Sequence, residues 1–176
     1  MPRWRVQKEV GIIKTYLTKM SIVIGAVCGA FAILWQYTPY LDRQWICFLM
    51  LVVFFAGGGV KKDYPNYLVT GAASIIWGQI VVFVCAKMAA FGADPILISI
   101  VGVGVLTAIP CYIHLVLLQN TLLDKVPMVF CGVALSAQQG GQDPLGLAIC
   151  MLAGLTIAVL SVVLTDLWCP PPETTT

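Results

Sequence analysis

Six stretches without a single Asp, Glu, Lys or Arg dominate this 176-residue chain: Met20–Leu41, Gln44–Val60, Tyr64–Ala86, Pro95–Leu123, Val126–Gln142 and Pro144–Thr165. Four of them hold 22 to 29 residues and two hold 17, against about 20 for a helix that crosses a hydrocarbon core of roughly 30 Å. Backbone polar groups in lipid must be satisfied internally, so continuous apolar blocks of this length are read as helices. The expected fold is all-α: a polytopic membrane helix bundle of six spans over residues 20–168. A basic cytoplasmic or interfacial segment (1–19) precedes it and a short flexible tail (169–176) follows. Composition agrees, with 60% hydrophobic and 10% charged residues, whereas soluble domains run at about 45–50% and about 25%.

The connecting segments are too short for a soluble domain, so any chemistry sits in or at the bilayer. Arg3, Arg5, Lys8, Lys14 and Lys19 precede the first block, which superficially suits a signal peptide. The apolar run that follows is too long for one and ends in "WQYTPYLD" instead of a small-residue cleavage site. It reads as an uncleaved first span. With the N-terminus inside, the inside segments hold these five residues plus Lys61, Lys62 and Lys125, and the outside only Arg43 and Lys87. Turning the two short blocks into re-entrant loops would weaken that asymmetry. The positive-inside rule therefore predicts six crossings with both termini cytoplasmic.

Long, short, long: the order of block lengths occurs twice. "SIVIGAVCGAFAI" from Ser21 lies over "SIVGVGVLTAIPC" from Ser99, and "FAGGGVKKDYPNYL" over "SAQQGGQDPLGL" with Pro65 on Pro144. Two three-helix halves would have opposite orientations, the inverted repeat common in transporters. The second and fifth spans are expected to be short or broken, since Gly57, Gly58 and Gly59 end one, and Gln138, Gln139, Gly140 and Gly141 end the other. From Trp45 to Ala56 only about 18 Å of helix fits. Two readings stand. Either the glycine breaks face an interior cavity, each followed by a helix start at Asp63 or Asp143 that offers free amides to a solute, or they turn a loop at the interface.

Further candidates are few. His114 is the one titratable group within the blocks besides tyrosines and cysteines, read either as an interfacial histidine satisfied by water or a carbonyl or as a pH-sensitive gate or proton relay. Gln138 and Gln139 are costly in lipid unless they face water or each other. Trp77 is placed at the border of a polar cavity because its N–H needs a partner. Thr70, Ser74, Gln79, Thr107, Ser136, Thr156 and Ser161 are each more readily structural, bonding back to their own helix. The seven cysteines are spread along the chain without a C-x-x-C, so neither a disulfide framework nor a metal site is expected. No cofactor, no catalytic constellation and no nucleic-acid-binding stripe is expected either.

The stretches "WICFLMLVVFFAGGG…YLVTGAASIIWGQIV" (Trp45 to Val81) and "VPMVFCGVALSAQQGG…LGLAICMLAGLTIAVL" (Val126 to Leu160) resemble the domain-of-unknown-function 1097 family, small integral membrane proteins, mostly bacterial, over about residues 20–168. The resemblance implies a multi-spanning membrane protein, expected in the plasma (inner) membrane, and no substrate. The basic extension, Lys61-Lys62-Asp63 and the proline-threonine tail depart from the family's pattern.

The function expected is a channel or facilitative transporter, not an enzyme, for a small neutral or weakly anionic solute. Its pathway candidates are Gly57–Gly59, Trp77, His114 and Gln138–Gly141. The partners are then the lipid bilayer, the solute and, through "GAVCG" at Gly25–Gly29, a second copy of the chain in a homo-oligomer. The alternative is a structural or regulatory membrane subunit that binds a partner through residues 3–19 as an amphipathic surface helix.

Overall fold

The computed structural model describes residues 3–170, with side chains described from residue 11 onward. They form α1 (Arg3–Trp35), α2 (Gln44–Ala56), α3 (Tyr64–Ala90), α4 (Pro95–Leu117), α5 (Val126–Gln138) and α6 (Pro144–Trp168), with no strand among the described residues. Four of these, α1, α3, α4 and α6, are long and apolar enough to cross a bilayer. The other two, α2 and α5, have 13 residues each, about 20 Å at 1.5 Å per residue. The short second and fifth helices are therefore as expected. The basic stretch from Arg3 is not a helix of its own, because α1 runs unbroken through it into the first span. The tail from residue 171 lies outside the described residues.

Each short helix is flanked along its length by a long one. α3 packs most extensively on α5, and α2 on α6, while α1 leans on α6 and α4 on α3. Both main pairs run parallel. Arg43 and Asp143 meet where α2 and α6 begin, and Lys61 reaches Asp166 where they end. Lys125 and Asp63 likewise meet where α5 and α3 begin.

In lipid, helices associate by close packing instead of by expelling water, which favours small residues at the contact. A Cβ on Gly154 would run into the Cys47 backbone and Met50, and one on Gly132 would run into Ser74. These two glycines set the crossing points of α6 on α2 and of α5 on α3. The centre of the bundle is apolar and shut: Met50, Phe54, Tyr67, Met128, Leu147 and Leu155 are almost wholly buried.

α4 is irregular. Two π turns, Ile100–Val105 and Ile113–Leu117, flank its middle segment Leu106–Tyr112. Pro110 has no N–H to donate to the preceding turn, and the Thr107 hydroxyl takes up the Gly102 carbonyl at 3.3 Å. The widened turns follow from ladder bonds lost at such positions.

Candidate functional site

Both short helices end in the same turn. Gly57, Gly58 and Gly59 donate to Val53, Phe55 and Phe54, and Gln139, Gly140 and Gly141 donate to Leu135, Ala137 and Ser136 in the same pattern. Gly58 and Gly59, like Gly140 and Gly141, have positive φ, the left-handed closure that glycine supplies at helix C-termini. A similar turn ends α3 at Gly92. The glycines are thus helix terminators, as both readings of the sequence require. Gly57 lies against the Tyr67 side chain and Gly58 is exposed.

The aspartates that follow differ from each other. Asp143, left-handed at φ 46°, caps α6 by accepting the Gly146 N–H at 2.9 Å. Asp63 was expected to cap α3 in the same way and does not. Its carboxylate is instead bonded to the Lys125 ammonium at 2.8 Å.

Those two aspartates define the charged part of the site. Asp143 accepts a hydrogen bond from the Arg43 guanidinium at 2.6 Å, and Asp63 accepts one from the Lys125 ammonium at 2.8 Å. One pair sits where α2 starts and the other just beyond where it ends, so they lie at opposite faces of the bundle. Each cation has a second carboxylate, Asp42 at 3.9 Å from Arg43 and Asp124 at 3.8 Å from Lys125. Each also lies over a tyrosine ring, Tyr40 for Arg43 and Tyr67 for Lys125. The Lys125 pair is the more enclosed, its side chains 16% and 25% exposed against 24% and 40% for Arg43 and Asp143. The Gly146 amide and Arg43 hold the Asp143 carboxyl below the usual carboxylate range. Burial pulls the Lys125 ammonium down, yet the Asp63 bond and the charges of Asp124 and Asp63 outweigh it and raise its pKa.

On the Arg43 face a polar cavity of about 300 Å³ is lined by Asp42, Arg43, Trp45, Gln138, Gln139 and Gln142. The two glutamines singled out from sequence therefore do line a polar space, on the Arg43 side of the bundle, with Gln138 exposed and Gln139 half-buried. Gly140 and Gly141 form the adjoining turn, and Gly141 brings it against Gln79 and Val82 of α3. Gln79 stands 11 residues before the end of α3 at Ala90, so this turn is about 16 Å short of that end.

The remaining candidates are elsewhere. His114 is 2% exposed at the end of α4, and its Nδ1 bonds to the Leu123 carbonyl at 2.6 Å, tying down the connector that leads to Lys125. The oxygen can only accept, so that nitrogen carries the proton. Trp77 is half-buried and its indole has no hydrogen-bond partner among the described residues; it is not on the cavity wall. Thr70, Ser74 and Ser161 bond to carbonyls at Leu122, Gly71 and Ile157 and line nothing wet. Among the described residues no three His, Cys, Asp or Glu side chains gather as a metal site.

Sequence reasoning missed Arg43, Lys125 and their aspartates as site residues. The signal was present in "LDR" at Leu41–Arg43 and "LDK" at Leu123–Lys125, 82 positions apart and each directly ahead of a short helix. That spacing also carries Gly58 onto Gly140 and Gly59 onto Gly141.

Comparison with curated proteins and with solved structures finds no match. Residues 20–166, which include both ion pairs and the polar cavity, match the family described as "Protein of unknown function (DUF1097)", and the chain belongs to that family.

Proposed function

We propose that this integral membrane protein is a facilitative transporter of a small neutral or weakly anionic solute, working by alternate closure of its two faces. The observation that carries this reading is the correspondence of the ion pairs. Arg43 and Lys125 occupy matching positions before α2 and α5, Asp63 and Asp143 matching positions before α3 and α6, and each pair joins the first three helices to the last three. We infer an inverted repeat, in which the internal twofold that exchanges the halves also exchanges the closures. The crossing points support it, since the Met50–Gly154 contact recurs as Gly132–Ser74 with the small and larger residues exchanged.

A permanently open channel fits less well. A polar cavity enters from the Arg43 face, but Met50, Phe54 and Tyr67 are fully buried between it and the Lys125 face. In alternate access such a barrier is one state of two, and its opening requires one pair to separate while the other holds. Six crossings with both termini cytoplasmic and a plasma-membrane location remain part of the proposal, as does assembly with further copies of the chain.

The same dry centre favours a second reading, a non-transporting subunit. An open apolar trough of about 560 Å³ along α4, between Ile100 and Ile113, would then seat a partner helix. Stopped-flow light scattering of proteoliposomes separates the two. Solute-dependent acceleration over empty liposomes supports transport. Correctly folded protein that leaves every solute's rate unchanged overturns it in favour of the subunit.

A further inference from the structure

Three side-chain atoms near the junction of α3 and α5 are shielded from solvent and bonded to nothing: Gln79 Nε2, Ser136 Oγ and Gln139 Oε1. Their neighbourhood follows from the backbone. Gly78 lies directly against Ser136, the Gly141 N–H donates to the Ser136 carbonyl at 2.9 Å, and a Cβ at Gly141 would stand 3.1 Å from the Gln79 amide oxygen. Ser136 is 1% exposed. Gln139 belongs at once to this group and to the wall of the polar cavity. Buried polar groups are costly when unpaired and in proteins are nearly always paired. Three at one helix junction, of which Gln139 also lines the polar cavity, leave a donor and acceptors to be satisfied by a ligand at that end of the cavity.

Their chemistry specifies a complement. Gln79 presents an N–H donor, Gln139 a carbonyl acceptor, and the Ser136 hydroxyl can serve as either. A carboxylate offers acceptors alone. Reversing the Gln139 amide would suit one better, so charge has to decide. Arg43 is the only cation on the cavity wall, and it is already held between Asp143 and Asp42. That guanidinium is therefore not free to recruit an anion.

We propose that Gln79, Ser136 and Gln139 form the binding site for a small neutral solute with a carbonyl and an N–H side by side, the carboxamide and urea class. The proposal rests on the transport reading for its biological use and on these three residues for its chemistry.

The test uses the full chain. Proteoliposome flux is measured by stopped-flow light scattering with acetamide, urea, glycerol and formate, and acetamide binding to the detergent-solubilised protein by saturation-transfer NMR. The expected result is acetamide and urea flux at least tenfold above empty liposomes, with formate at background. Gln79→Met and Ser136→Ala should each lower that flux at least tenfold and abolish the NMR signal without moving the melting temperature. Ser136→Ala removes a single oxygen and decides the matter if Gln79→Met does not fold. Glycerol or formate carried in preference to acetamide would overturn the solute class, and variants that keep both binding and flux would overturn the site. Binding that is lost in Ser136→Ala, without flux of any solute, would sustain the site and sink the transport reading. Neither binding nor flux would remove both.

Discussion

The Arg43 guanidinium lies 2.6 Å from the Asp143 carboxylate, 100 residues further along the chain. That bond and its counterpart, Lys125 to Asp63 at 2.8 Å, are not equally protected, and the difference sets their worth. Exposed ion pairs contribute about 0.2–1 kcal/mol, whereas a hydrogen bond to an enclosed charge contributes about 1.5–3 kcal/mol. Lys125→Met should therefore lower the melting temperature more than Arg43→Met does. Charge exchange in Asp63→Lys/Lys125→Asp should recover part of the loss, as read by thermal unfolding in detergent. Equal effects of the two single variants would contradict the ranking.

Acid should weaken the Arg43 face through Asp143. Its carboxyl titrates below the ordinary value in the folded protein, so its contribution is present above the unfolded pKa and lost as pH falls through the folded one. Lys125 is shifted upward, so its contribution is present below the unfolded pKa and lost as pH rises through the folded one. Between about pH 5 and pH 9 neither contribution should vary. Melting temperatures of wild type and Asp143→Asn, recorded from pH 3 to pH 9, should differ by a constant above pH 5 and converge below it.

Gly132 and Gly154 should be intolerant of size. Replacing either by leucine forces α5 off α3 or α6 off α2, and overpacking costs about 1–3 kcal/mol or more. Gly25 and Gly29 have open space where a side chain would stand, so leucine there should leave monomer stability unchanged. If copies of the chain associate through that face, Gly25→Leu will shift the particle mass in native mass spectrometry. An unchanged mass would remove α1 from the assembly interface.

His114 should behave as a structural donor. His114→Ala leaves the Leu123 carbonyl unpaired in a partly buried setting and should cost about 0.5–1.5 kcal/mol, while His114→Asn, which offers an N–H, should recover part of it. A pH gate would instead show a shifted flux–pH profile in both variants.

Opposite faces can be checked by labelling. A cysteine at Lys62 and one at Gly92 follow the ends of α2 and α3, and an impermeant maleimide applied to intact cells should reach Gly92 and not Lys62. The reverse pattern would invert the orientation.

Much of this architecture was legible from charge-free length alone, because a block such as Pro144–Thr165 has no soluble alternative. The short helices were legible from Gly57–Gly59 and Gly140–Gly141, since left-handed glycines stop a helix whatever surrounds them. What the glycines open onto was not legible. Whether Gln139 faces a cavity and Gly57 a tyrosine ring depends on helices far away in the chain, and both look alike as glycine-rich breaks. The Asp63 cap was misjudged for the same reason, as Lys125 is 62 residues away and local spacing cannot register it. Aligning the halves on Pro65 and Pro144 also hid the spacing that places "LDR" over "LDK", because the spacing falls from 82 at the glycines to 79 at the prolines.

The pairing of α2 with α6 has a consequence for how the protein is made. Synthesis delivers the N-terminal part first, so α2, too short to span by itself, is threaded into the bilayer long before the last helix that covers it emerges. Arg43 meanwhile waits for a carboxylate 100 residues away. The nascent chain cannot complete its first half alone, and release from the insertion machinery must come after Asp143, not before.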